Sequence, residues 1–204
     1  KQLAVKLLGE KMLGVIRYMD GSVSSNGKGS DNNSADSEQQ KNLEGMLVKI
    51  LTDFSRVISF TTDGGLSLCA QTLESISRIM NTNRCELTLK TILLGSSDHR
   101  HDVDALMVDI VFQAEVLLLN SIDIDLRIQC AELCAILIRR YGQSHLEQVL
   151  VESLKTSQLH PRLTKCVCGI VGQLFDLSTL VDYLAYNHAR PYLYDDIVSL
   201  MRKK

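Results

Sequence analysis

The stretch "SSDHRHDVDAL", residues 96–106, gathers more groups capable of chemistry than any other part of the chain. His99 and His101 alternate there with Asp98, Asp102 and Asp104. Imidazoles and carboxylates at this spacing are the ligand types of a hydrolytic zinc site, where H-x-H on a loop after a strand is followed by an aspartate and a further histidine. The preceding "LTLKTILLG" has the letters of such a strand. Here, however, the aspartate is displaced and the last histidine is missing, and Arg100 would set a cation beside the ion. A plainer reading covers the same residues. Gly95 closes one helix, residues 96–102 make a polar loop, and Asp98 or Asp102 caps the next helix, its carboxylate accepting backbone N–H bonds at the positive end of the helix dipole. The stretch is therefore expected to end one helix and begin another, without metal.

The other candidates for chemistry are sparser. His145, His160 and His188 stand at expected helix edges, with no Ser, Cys or carboxylate at a spacing that makes a triad. No glycine loop of the phosphate-binding kinds occurs; "DGG" and "NGKG" are turn signals. Cys130 and Cys134 lie one helical turn apart, Cys166 and Cys168 fall on different helix faces, and neither pair has the C-x-x-C spacing of zinc or redox motifs. The six cysteines are expected to be free thiols packed as small hydrophobes, which suits a reducing compartment, cytoplasmic or nuclear. No cofactor and no catalytic residue is expected.

Charge and composition narrow the partners. The formal net charge of −2, with Arg202–Lys204 as the only basic cluster, offers nothing for nucleic acid. No run of about 18 apolar residues is present, so no membrane span is expected. Hydrophobic residues make up 45% of the chain but aromatics only 5%, and prolines are confined to Pro161 and Pro191. Leu, Ile, Val and Ala must then carry the core, in helices rather than in a many-turned β fold. The chain opens "KQLAVKLLGEKML" without an initiator Met, which reads as the start of an excised piece.

These residues need elements to position them. Leu3, Leu7, Leu8, Met12, Leu13, Ile16 and Met19 recur near every 3.6 residues, which predicts an amphipathic helix within residues 1–20. Residues 21–40, "GSVSSNGKGSDNNSADSEQQ", hold only Val23 and Ala35 as apolar members and are expected to be a flexible polar insertion, too polar to offset the entropy of ordering. Residues 41–204 read as one helical domain. "NLEGMLVKILTDFSRVISF" puts Leu43, Met46, Leu47, Ile50, Leu51, Phe54, Val57 and Ile58 on one face, and "LSLCAQTLESISRIM" resumes after "DGG". Further helices are expected at about 102–119, 125–141, 144–156, 160–175, 178–187 and 191–202.

The second half shows a repeat. "DLRIQCAELCAILIRRYG" laid on "HPRLTKCVCGIVGQLFD" at an offset of 35 puts Arg127 on Arg162, Ile128 on Leu163, Ala131 on Cys166 and Leu133 on Cys168. The following helices match at 34, Leu146 on Leu180 and Leu150 on Leu184. A longer helix with small residues, a tight turn and a shorter Leu-rich helix make up each unit.

On the starts "DIDLR" and "LHPRL", and on the small residues Cys130, Ala131, Cys134, Ala135, Cys166, Cys168 and Gly169, the chain resembles an armadillo/HEAT-type α-solenoid. The resemblance is best over residues 125–187 and extends back to 66. It implies an all-α fold of stacked antiparallel helix pairs, the alternative being an irregular helical bundle. It also implies a scaffold or adaptor that binds a peptide or partner helix along the inner helices, or a regulatory domain docked on its own parent chain. On "SHLEQVLVESLKT", Leu146, Val149, Leu150 and Leu154 face inward, leaving Gln148, Glu152 and Lys155 outward. Asp182 and Tyr186 are their counterparts in the next unit and Lys90 the upstream one; Tyr183, Tyr192 and Tyr194 add aromatics near the end. Exposed repeat ends would also permit self-association.

Overall fold

The computed structural model describes residues 2–23, 33–59, 65–94, 99–157 and 160–175. Among these residues the fold is all-α, with eight helices and no strand: α1 (Gln2–Val23), α2 (Asn33–Ser59), α3 (Leu66–Met80), α4 (Asn83–Leu94), α5 (Arg100–Asn120), α6 (Ile124–Tyr141), α7 (His145–Ser157) and α8 (Pro161–Leu174). The expected helices at 178–187 and 191–202 lie outside the described residues. Of the 21–40 segment, residues 21–23 belong to α1 and residues 33–40 to α2, which leaves 24–32 outside the description.

The chain divides into two compact units, residues 1–113 and 114–204, with the division inside α5. In the first unit α3 packs against both α1 and α2, and α4 against α1 and α3. Leu73, Ile76 and Ile79 of α3 are fully buried, together with Leu51 and Phe54 of α2 and Met12, Leu13 and Ile16 of α1. The α1–α3 crossing is set by Gly9. A Cβ there would stand 2.8 Å from Ser75 Oγ and 3.1 Å from Ser75 Cβ, so only a hydrogen lets the two helices approach this closely. One hydrogen bond and one close approach set α5 beside α2. Gln113 Nε2 donates to Ser59 Oγ at 3.0 Å, and Gly45 lies where a Cβ would be 3.5 Å from His99 Nε2. Both pairs are 54 residues apart, so α2 and α5 run parallel.

The faces expected from periodicity need correction in two places. Leu3, Leu7 and Leu8 of α1 are exposed, the buried face of that helix being carried by its middle. Met46 of α2 is also half exposed, while Leu47, Leu51 and Phe54 turn inward.

Among the described residues the second unit holds the end of α5 and helices α6, α7 and α8, the last three each in contact with the other two. Helix α6 has both ends closed. The Asp123 carboxylate accepts the Leu126 N–H at 2.9 Å. Gly142, at φ 68, turns the chain left-handed so that its N–H reaches Ile138 O and that of Gln143 reaches Leu137 O. Pro161 opens α8 in the first turn, where its missing N–H has no helical partner to lose. Asp125 in the first turn of α6 pairs with Arg162 in the first turn of α8 at 2.7 Å. At the other end Arg139 Nη2 donates to Gln173 Oε1 at 2.8 Å. Helices α6 and α8 therefore lie parallel, with α7 returning between them.

Burial does not follow the offset of 35. The buried residues of α8 are Leu163, Thr164, Val167, Cys168, Val171 and Gly172. Each has a buried counterpart in α6 at an offset of 37, in the order Leu126, Arg127, Cys130, Ala131, Cys134 and Ala135. The offset of 35 instead lays buried Arg127 on exposed Arg162 and buried Ala131 on half-exposed Cys166. Apolar letters alone match at several offsets because a helix repeats its inner face every three or four residues, and only the buried side selects among them. Gly169 does not mark close packing among the described residues, since a Cβ there would meet none of their atoms within 4 Å.

Candidate functional site

The His/Asp stretch resolves into a helix start. "LTLKTILL" is part of α4, so the loop-after-strand setting of a zinc site is absent, and α5 begins at Arg100, earlier than the expected 102. His99 O accepts the Val103 N–H at 3.0 Å, which makes His99 the residue from which α5 starts. Asp102, in the first turn, stands 3.5 Å from His99 Nδ1 on a solvent-exposed flank. Asp98 lies outside the described residues, and no group of three His, Cys, Asp or Glu among those described could hold a metal ion.

None of the six cysteines is in a disulfide, and among them only Cys166 is not buried. Burial, with Glu115 adding to it, pushes the Cys134 thiol up to about 12, so it stays protonated at neutral pH. Burial also raises Cys166, helped by Glu132 and opposed by Arg162. Neither is prepared as a nucleophile.

One charged side chain is built into the second unit's interior. Arg127 is 5% exposed. Its Nε donates to Leu118 O at 2.7 Å and its Nη2 to Thr156 Oγ1 at 2.5 Å. Thr156 Oγ1 in turn donates to Ser153 O at 3.1 Å. Burial lowers the guanidinium from its usual value, although it remains a cation. By reaching a carbonyl in the last turn of α5 it sits where the helix dipole is negative, and it ties α5, α6 and α7 at one point. Sequence pattern gave no sign of this role, because Arg127 and Arg162 look alike in their local strings.

The expected partner-binding residues fall in different places. Helix α7 buries Leu146, Val149, Leu150, Val151, Ser153 and Leu154, more of its circumference than one face. What remains toward solvent is a narrow strip holding exposed Gln148 and half-buried Glu152; Lys155 shares its helical register. Lys90 belongs to the first unit, where it is exposed on α4 and paired with Glu86 at 2.7 Å. Asp182 and Tyr186 lie outside the described residues, as do the other C-terminal tyrosines. No helix among the described residues is long and apolar enough to cross a membrane.

No family model, curated protein or solved structure matches this chain.

Proposed function

We propose that the chain is a helical-repeat scaffold of the armadillo/HEAT type, non-catalytic, and that it binds a protein or peptide partner along the outward strip of α7. The observation that carries this reading is the 37-residue recurrence of buried positions between α6 and α8. With these two helices parallel and α7 between them, α6 and α7 form a pair whose first helix is stacked on the first helix of the next. In such an arrangement the second helix of each pair lines the surface offered to a partner. Here that strip is Gln148 and Glu152, with Lys155 in register. An acidic and an amide group one turn apart suit an extended peptide, whose backbone and basic side chains they can hydrogen-bond.

The test is site-specific cross-linking. A photoreactive residue replacing Gln148 is expected to capture a partner from cell extract. The double variant Glu152→Lys, Lys155→Glu is expected to lose that partner while keeping its helical circular dichroism and Tm. A partner captured equally well by the variant would move the binding surface off α7. Capture of no protein other than a longer form of the same chain would favour docking within the parent protein.

A further inference from the structure

Helix α5 is apolar on both sides. Val103, Leu106, Met107 and Ile110 are buried in the first unit, whereas Val108 and Phe112, one turn apart, are 67% and 58% exposed. Exposed Ala105 lies beside them, and the same side carries the exposed carboxylates Asp104 and Asp109. No Lys or Arg occurs anywhere in residues 101–126, so the charges that α5 itself sets beside this apolar ridge are the carboxylates. Helix α1 of the same unit has the opposite pattern. Leu3, Leu7 and Leu8 are 68%, 48% and 40% exposed. Around them stand exposed Lys6, Lys11 and Arg17, against one exposed carboxylate, Glu10.

We infer that the exposed ridge of α5 receives the exposed face of α1 from a second copy of this chain. Charge selects this pairing over the symmetric ones. Two α5 ridges facing each other would oppose Asp104 and Asp109 to their own copies, and two α1 faces would oppose lysines. Placing α1 on α5 covers Val108 and Phe112 with Leu3 and Leu7 and sets Lys6 and Lys11 among the aspartates. Because the two surfaces are different, each copy keeps one of each free, and the contact propagates head to tail rather than closing as a symmetric dimer. Two single helix faces make a small interface, of the class below about 1,200 Å², so the association is weak and reversible. This surface is separate from the α7 strip, and its test does not depend on that reading.

Sedimentation equilibrium of the full 204-residue chain is expected to show a weight-average mass that rises with concentration and falls as salt is raised. Phe112→Asp and Leu7→Glu, each at an exposed position, are expected to be monomeric alone. Mixed in equal amounts they are expected to form a 1:1 complex and stop there, since Phe112→Asp retains an intact α1 and Leu7→Glu an intact α5. If Phe112→Asp loses its fold, the double variant Asp104→Lys, Asp109→Lys takes its place in the same mixture. A wild-type chain that stays monomeric to about 1 mM, where a contact of about 1 mM Kd would already be substantially formed, overturns the inference. So does association that survives in both single variants, or a mixture that fails to pair.

Discussion

The two units of the chain are held together in different ways. In the first, α1 and α3 cross at a point where Gly9 leaves room for Ser75 and nothing larger than a hydrogen fits. In the second, α6 and α8 are aligned by polar contacts at their ends, Asp125 with Arg162 and Arg139 with Gln173, and Arg127 ties the interior. The glycines show the contrast most directly. Gly9 and Gly172 both sit in helices, yet a Cβ collides at the first and meets no described atom within 4 Å at the second. A small residue in a helix therefore says little about packing until the neighbour across from it is known.

Substitutions at two arginines of the second unit should separate its buried polar contact from its exposed one most sharply. Arg127→Ala removes two hydrogen bonds from a buried cation and is expected to cost about 3 kcal/mol in chemical denaturation. Arg162→Ala breaks an ion pair whose partners are 76% and 63% exposed, and at such a surface pair the expected loss is at most about 0.5 kcal/mol. Equal losses at both positions would mean that Arg127 is no more than another surface contact.

The glycine pair gives the next largest difference, with opposite signs. Gly9→Ala is expected to destabilise by about 1–2 kcal/mol, the clash with Ser75 outweighing the gain in helix propensity. Gly172→Ala is expected to stabilise by about 0.5–1 kcal/mol, since propensity acts there without a clash. Thermal melts of the two variants decide it; a stabilised Gly9→Ala would remove the close crossing from the account.

Alkaline pH tests one buried group of the second unit, Cys134. Cys134 is shifted from 9.0 up to about 12 in the folded chain, so between those values the folded state holds a proton that the unfolded state has released. Its contribution to stability is complete below about 9 and declines as pH rises toward 12. Cys134→Ala should flatten the alkaline limb of a stability–pH curve, and an unchanged limb would show that other groups set it.

The smallest effect is expected at Ser55, a buried hydroxyl of α2 with no hydrogen-bond partner. Its neighbours along the same chain, Thr52 and Ser59, donate to carbonyls four residues back. Ser55→Ala is expected to be neutral or to stabilise by up to about 1 kcal/mol, because it removes an unsatisfied polar atom. A clear loss of stability would mean that the hydroxyl has a partner in solution.

Helix positions were legible wherever a residue with local chemistry marks an end. Asp123, Gly142 and Pro161 fix the limits of α6 and the start of α8 to within a residue or two of what the letters predict. The start of α5 was less legible, since the turn closes on the His99 carbonyl and a backbone group leaves no mark in the sequence. Which positions of α6 and α8 are buried was not legible from matching their letters. The strings around Arg127 and Arg162 match best by letter at 35, but burial follows 37, since it depends on which side of each helix meets its neighbours. The Gly9 crossing and the Arg127 tie were not legible at all, as both depend on residues 66 and 29 positions away. Of the expected site, Gln148 and Glu152 do share a strip, whereas Lys90 belongs to the other unit.

The absence of Lys and Arg from residues 101–126 has a consequence for protease work on this chain. Trypsin finds no bond to cut between Arg100 and Arg127, and the division between the two units falls within that interval. Arg127 itself is held inside the second unit, so cleavage after it must wait for that unit to open. A native tryptic digest cannot cut the chain at its own structural boundary, and separate preparation of the two halves calls for an enzyme that reads aliphatic or acidic residues instead.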